Sequence, residues 1–347
     1  MKPWMIYGAN GYTGTLIAEA AAAAGLKPLL GGRNRETIDP LARRLRLERR
    51  IFPLLGQRSI EASLEGVGLV LNCAGPFSAT TTPLLEACLV SGTHYLDISG
   101  EIDVFAHCHA QRERALAAGI LVIPGVGFDV VPTDCVAAML KRRLPRADEL
   151  VLAIEAGGGM SPGTARTSLQ GLRMGGRVRE LGRLRPVPLG WKTRSFEREG
   201  TIRQATTIPW GDLYTAWVST GIPNIETYMV LPPRALSTLR RMRWLRPLLG
   251  IAPLQRHLHA RIERETHGPD AAQRAASRSH VWGEVRSADG QVERMQLTTP
   301  NGYALTVDAA LDIAQHVAAK VLAPGYYTPS QLMGADYVLR LPGVRLA

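Results

Sequence analysis

Through the first third of the chain, short apolar runs alternate with longer stretches of helical character, and a small or polar cluster closes each run. Met5-Ile6-Tyr7 enters Gly8-Ala9-Asn10-Gly11-Tyr12-Thr13-Gly14, and the Ala-rich stretch that follows stops at Gly25, just before Lys27-Pro28. Strand, glycine turn, helix and helix stop is the reading. The unit recurs. Leu29-Leu30 leads into Gly31-Gly32-Arg33-Asn34-Arg35, Val67 to Leu71 into Asn72-Cys73-Ala74-Gly75-Pro76, and Tyr95-Leu96 into Asp97-Ile98-Ser99-Gly100-Glu101. Ile120 to Ile123 leads into Pro124-Gly125-Val126-Gly127-Phe128-Asp129. Such alternation predicts an α/β fold with a parallel sheet wound on both faces, here a Rossmann domain over 1–131.

After a helix from about Pro132 to Arg143 the alternation ends. Leu150 to Glu155 reads as a strand entering Ala156-Gly157-Gly158-Gly159-Met160-Ser161-Pro162-Gly163-Thr164, a loop that opens a helix through Arg166. This loop reads either as a substrate-facing helix start, with Ser161, Thr164 and Arg166 as contacts, or as an interdomain hinge. Strand-like runs with hairpin signals at Glu199-Gly200, Asp289-Gly290 and Asn301-Gly302 then predict a second α+β domain over 132–306 with a mainly antiparallel sheet. Val307 to Ala323 reads as an amphipathic helix, and 307–347 is expected to pack back on the Rossmann domain.

Three glycines spaced G-x-x-G-x-x-G in the first strand-turn-helix let the backbone turn sharply and approach a pyrophosphate, which the helix N-terminus then meets with N–H groups and a positive dipole end. Gly8, Asn10, Gly11, Tyr12, Thr13 and Gly14 are therefore candidate dinucleotide contacts. Beyond the second strand an NAD site places an acid for the ribose 2′-hydroxyl; this chain has Arg33, Asn34 and Arg35, which suit a 2′-phosphate. The cofactor expected is NADP(H). Ligands of such sheets bind beyond the carboxyl ends of the strands, which adds Cys73, Ala74, Gly75, Pro76 and Asp97 to the candidate cofactor contacts.

Composition narrows the class. Of 347 residues, 46% are hydrophobic and 20% charged, a globular balance long enough for two domains. The net charge of +11 is local: residues 166–203 hold ten basic side chains against three acidic, and residues 234–264 hold eight against one. The remainder is slightly acidic, which argues against nucleic acid as a partner. Four cysteines without a C-x-x-C pair exclude a zinc ribbon, a redox dithiol and a secreted disulfide framework. No apolar run reaches the ~18 residues of a membrane helix, and the N-terminus carries no charged leader, so a cytoplasmic chain is expected. The segment 240–250, Arg-rich with Trp244 and leucines, reads as a weak peripheral membrane contact, a solvated helix face or a dimer contact.

The candidate proton donors are Asp129, which follows a strand end and reads equally as a cap of the next helix, and Tyr214 in the second domain, or a water held by Ser161 or Thr164. No tyrosine has a lysine four residues on, so the Tyr-x-x-x-Lys pair of short-chain dehydrogenases is missing. His107, Cys108 and His109 are consecutive, so on a helix they point apart and do not make a metal cluster.

Several separated motifs together resemble a known family. They are Gly8 to Gly14, Asn72-Cys73-Ala74-Gly75-Pro76-Phe77, Gly92 to Glu101, Gly127-Phe128-Asp129, Ser219 to Asn224 and Leu341-Pro342-Gly343-Val344. The chain resembles the saccharopine dehydrogenase-like oxidoreductases, in the branch of the trans-acting enoyl reductases. The resemblance implies a Rossmann domain and a second α/β domain for substrate and dimer contacts. It also implies NADP-dependent reduction of an acyl-type double bond, with a small or carrier-bound acyl substrate and a homodimer as partners. The family pattern is left after Phe77, at Ser78-Ala79-Thr80-Thr81, and after Asp129, at Val130-Val131. Two other readings stay open: a non-enzymatic NADP(H)-binding protein at lipid surfaces or partners, and an amino-acid-type dehydrogenase.

Overall fold

The computed structural model describes residues 2–232, 234–239, 258, 260–262 and 264–347, with only the backbone at 170 and 172. The segment 240–250, discussed above as a membrane contact, lies outside the described residues. The chain divides into two compact units, one of 1–131 with 303–333 and the other of 132–302 with 334–347.

The first unit follows the alternating pattern. In chain order it runs β1 (Trp4–Tyr7), α1 (Tyr12–Ala23), β2 (Leu29–Gly32), α2 (Arg35–Leu45), β3 (Arg49–Ile51), α3 (Gln57–Ser63), β4 (Leu69–Asn72) and α4 (Phe77–Ser91). It continues with β5 (His94–Asp97), α5 (Ile102–Ala110), α6 (Arg112–Ala117) and β6 (Leu121–Ile123). β1, β2 and β4 are buried along their whole length, as strands covered on both faces must be, which is why they read as unbroken apolar runs. All pairings are parallel, and a late strand (Gly325–Tyr326) joins the far edge, giving the order late strand, β6, β5, β4, β1, β2, β3. The strand order reverses between β1 and β4, and there a doubly wound sheet opens its ligand crevice.

The second unit begins at α7 (Val131–Arg143) and β7 (Ala147–Glu155), followed by α8 (Pro162–Met174), β8 (Gly176–Glu180), β9 (Arg183–Val187), β10 (Thr193–Arg198) and β11 (Thr201–Thr207). Next come α9 (Asp212–Thr220), β12 (Asn224–Val230), α10 (Ala271–Ala276), β13 (Arg278–Ser287) and β14 (Val292–Pro300). Its nine-stranded sheet is antiparallel except where β12 runs parallel to β7. Phe196 of β10 packs against Trp282 and Tyr228, and with Ala153 and Ala205 they form a small core on one sheet face.

Two expectations change. Asn301-Gly302 is not a hairpin turn: Asn301 is fully buried, and Gly302 begins α11 (Gly302–Ala319), the long helix read at 307–323. Asn301 Nδ2 donates to the Gly157 carbonyl at 2.9 Å and to Ser277 Oγ at 2.8 Å, a fixed brace where a turn would leave the side chain in water. The C-terminal stretch is also shared. Residues 303–333 lie with the parallel sheet, whereas 334–347 belong to the second unit, because the last strand, Arg345–Leu346, pairs with β14.

Candidate functional site

The crevice edge of the first unit is built on backbone contact. Gly8 turns at φ +79°, and a Cβ there would stand 2.7 Å from the Ala74 nitrogen, so the ends of β1 and β4 touch without side chains between them. Gly14 lets α1 settle on the Gly8 carbonyl, and Thr15 Oγ1 donates to the Ala9 carbonyl at 3.0 Å. α1 starts at N-cap Gly11 with no side-chain cap and no acid in its first turn, so nothing in that turn offsets its positive end. Asn10 is exposed beside the turn, while Tyr12 and Thr13 are half-buried in the first turn of α1, with the Tyr12 ring edge-on to Tyr303.

Beyond β2, Arg33, Asn34 and Arg35 are exposed. Asn34 caps α2, its Oδ1 accepting from the Glu36 N–H at 2.9 Å. Arg35 stands 3.9 Å from Asp39, but Asp39 is held by Arg49 at 2.5 Å, which keeps its carboxyl below the usual range. Arg33 makes no ion pair among the described residues. The cation pair is thus available to an anion, and Asn34 serves the helix.

The third strip of the crevice is the β4–α4 loop. Asn72 is fully buried; its Oδ1 accepts from the Ala74 N–H and its Nδ2 donates to Tyr95 Oη and Thr80 Oγ1, so it fixes the turn at Cys73, Ala74, Gly75 and Pro76. Cys73 is buried and burial pushes its thiol up, which leaves it unreactive. Gly75 is exposed, Ala74 and Pro76 half so.

Asp97, expected above as a cofactor contact, is bound up within the chain. It has no exposed surface, and its carboxylate accepts from Tyr95 Oη at 2.9 Å, Ser99 Oγ at 2.7 Å, and the N–H groups of Ser99 at 3.0 Å and Gly125 at 2.9 Å. It ties the end of β5 to the loop after β6. A residue not singled out as a site candidate takes the outer position. Glu101, half-buried, reaches 24 positions back to accept the N–H groups of Phe77 (3.0 Å) and Ser78 (2.9 Å) at the start of α4. Burial, then nearby Asp97, raises its carboxyl, while the two N–H bonds oppose them. Asp129 lies over Gly100, where an added Cβ would meet its Oδ2 at 2.9 Å; burial raises its carboxyl to about 6.

The second-unit candidates are differently occupied. Ser161 is buried, and its Oγ accepts from the Thr164 N–H as the N-cap of α8. Thr164 and Arg166 are half-buried on that helix. Tyr214 packs edge-on to Trp217, and the buried Arg179 guanidinium lies 4.3 Å from the Trp217 ring centre and 5.6 Å from that of Tyr214. The basic run 166–203 is partly neutralised within its own sheet: Lys192 pairs with Glu226, Arg194 with Glu284, Arg198 with Glu155 and Arg185 with Glu180. Among the described residues no helix is long and apolar enough to cross a membrane, and no cluster of His, Cys, Asp or Glu could hold a metal ion.

Comparison with known proteins places this geometry. Residues 4–123, the span of β1 to β6, match the family described as saccharopine dehydrogenase NADP binding domain. The chain is 28% identical over 214 residues to a mouse saccharopine dehydrogenase-like oxidoreductase, covering 53% of this chain and 50% of that protein. It is 31% identical over 148 residues to a trans-acting enoyl reductase of Mycobacterium leprae, covering 40% of this chain and 35% of that protein. The matches span half or less of these relatives. Among solved structures, saccharopine dehydrogenase (L-Glu forming) of Saccharomyces cerevisiae aligns over 100% of both chains with a TM-score of 0.65 at 11% identity, a likeness of fold.

Proposed function

The N-terminal unit of this chain is an NADP-binding domain of the saccharopine dehydrogenase type, and from that premise we propose that the chain is an NADP(H)-dependent reductase. Its substrate in this reading is a small or carrier-bound acyl-type compound with a polarised C=C, C=N or C=O bond, and its working form a homodimer. The observation that carries the reading is that two positive features stand beyond the carboxyl ends of β1 and β2: the start of α1, without a side-chain cap or an acid in its first turn, and the exposed Arg33 and Arg35. Pyrophosphate and 2′-phosphate are what those features would hold.

When bound, NADPH supplies the hydride. Gly8, Gly11 and Gly14 admit the pyrophosphate to the backbone, and the loop braced by Asn72 walls the crevice beyond β4. Asp129, with its carboxyl at about 6, holds a proton at Oδ for the carbon or heteroatom left negative by hydride addition, and regains it from water. Tyr214 is the weaker donor, since its ring is packed against Trp217 and Arg179. The likeness to an enoyl reductase favours C=C over the other bonds. The lipid-surface alternative loses part of its motive to the ion pairs of segment 166–203. The test is NADPH oxidation with enoyl thioesters beside amino-acid and keto-acid pairs. Turnover of a thioester supports the proposal; tight NADPH binding with turnover of an amino-acid pair alone replaces it with the dehydrogenase reading.

A further inference from the structure

Two helix N-termini open on the same end of the parallel sheet and are treated in opposite ways. The start of α1 has neither a side-chain cap nor an acid. The start of α4, on the other side of the β1/β4 reversal, is closed by Glu101, whose two oxygens each accept one of its first N–H groups. In a doubly wound sheet the dinucleotide lies across that reversal. With a 2′-phosphate at the cations beyond β2 and a pyrophosphate at α1, the nicotinamide half would fall toward the ends of β4 and β5, where Glu101 stands. The nicotinamide ring carries a positive charge when oxidised and none when reduced.

We propose that Glu101 is the residue that sets the balance between the two cofactor forms, its fixed negative charge favouring NADP⁺ over NADPH in this site. The inference rests on the cofactor reading above and adds to it a group the reaction itself does not require. Burial raises this carboxyl, and two N–H donors with the positive end of a fifteen-residue helix oppose that rise. Asp97 is wholly enclosed, and Asp129, whose carboxyl lies at about 6, is ionised at pH 8 in the wild type and in every variant alike, so a shift seen on changing Glu101 belongs to Glu101.

The experiment uses the full chain at pH 8, measuring Kd for NADPH by nucleotide fluorescence and for NADP⁺ by competition. Variants are Glu101→Gln, which keeps an oxygen for the N–H groups, and Ser78→Lys, which sets a cation beside Glu101 from an exposed position, gives up the Ser78 side-chain bond to Glu101 and keeps both backbone N–H donors. The ratio Kd(NADP⁺)/Kd(NADPH) is expected to rise about tenfold in Glu101→Gln, the size of one partly shielded charge interaction, and to rise in Ser78→Lys as well. If the glutamine variant does not fold, the lysine variant decides. A ratio unmoved while both affinities fall together makes Glu101 only a clamp on α4 and overturns the proposal, leaving the function standing. A wild-type chain that binds neither nucleotide overturns both.

Discussion

Gly8 and Ala74 bring the ends of β1 and β4 into direct backbone contact: a Cβ on Gly8 would lie 2.7 Å from the Ala74 nitrogen and 2.8 Å from its Cα, and Gly8 sits at φ +79°. Gly8→Ala must therefore strain the turn, at about 1–2 kcal/mol for the left-handed conformation, and also push the β4–α4 loop away. A thermal melt lowered by several degrees is expected, together with NADPH affinity reduced about tenfold or more, since the displaced loop walls the same crevice. An alanine variant with wild-type affinity would detach the turn from the nucleotide site.

Arg33 and Arg35 are not equivalent. Arg33 has no ion pair among the described residues, while Arg35 leans at 3.9 Å toward an Asp39 already held by Arg49. Arg33→Asp is expected to weaken NADPH by one to two powers of ten, the range of about 1.5–3 kcal/mol for a hydrogen bond to a charged group, and to leave NADH unchanged or improved. Arg35→Ala should cost less. Both effects shrink in high salt because the groups are exposed. Titration of each variant with both nucleotides at two ionic strengths checks this, and an equal loss for NADH would reassign the pair to general electrostatics.

The parallel sheet was legible because its information is local. Each strand is an apolar run closed by a glycine or polar cluster, and the G-x-x-G-x-x-G spacing lies between β1 and α1. What was not legible is long-range. Nothing near Glu101 announces that it closes a helix 24 positions earlier, and nothing near Asp97 announces that Gly125, 28 positions on, donates to its carboxylate. Asn301-Gly302 has the dipeptide of a tight turn, but Asn301 is recruited by a loop 144 positions away. Ser161 is the opposite case: Ser before Pro at a helix start is a capping signal that is local in the sequence, and the structure carries that cap.

Asp97 gives a stability prediction. Removing its carboxylate by Asp97→Ala leaves buried donors on Tyr95, Ser99 and Gly125 without their acceptor. At about 1–3 kcal/mol for each buried group left unsatisfied, a loss of about 3 kcal/mol or more is expected in denaturant unfolding. Tyr95→Phe, which removes one hydroxyl from the same network, should cost a fraction of that. A neutral Asp97→Ala would mean that water reaches the network.

Leu181 runs against local preference. It turns the β8–β9 hairpin at φ +48° with 80% of its surface exposed, its N–H held by Asn224 Oδ1 at 2.9 Å. A leucine in this region costs about 1–2 kcal/mol relative to a residue that tolerates it, and no packing at the tip returns that energy. Leu181→Asn is expected to raise stability by about 1 kcal/mol in equilibrium unfolding, with cofactor affinity unchanged. A destabilised variant would show that the leucine side chain is engaged.

Asp129 links stability and reactivity through one proton. Its carboxyl is raised from 3.8 to about 6 by burial, so the folded chain holds this proton more tightly than the unfolded chain does. Below pH 4 both states are protonated and the group is neutral in its effect. Between pH 4 and 6 the unfolded state has released the proton and the folded state has not, so stability falls as pH rises. Above about 6 the loss levels off at about 3 kcal/mol. Asp129→Asn should therefore be more stable than wild type at pH 8 and no more stable at pH 4. If the same proton serves the reaction, the wild-type rate declines as pH rises through about 6, because the ionised carboxyl has nothing to give. The asparagine variant should lose most of the rate and this pH dependence with it. Urea unfolding at pH 4 and pH 8 reads the first effect, and a pH–rate profile on a thioester substrate reads the second. A variant gaining stability at pH 8 with an unaltered rate profile would leave Asp129 a buried carboxyl and return the proton to another donor.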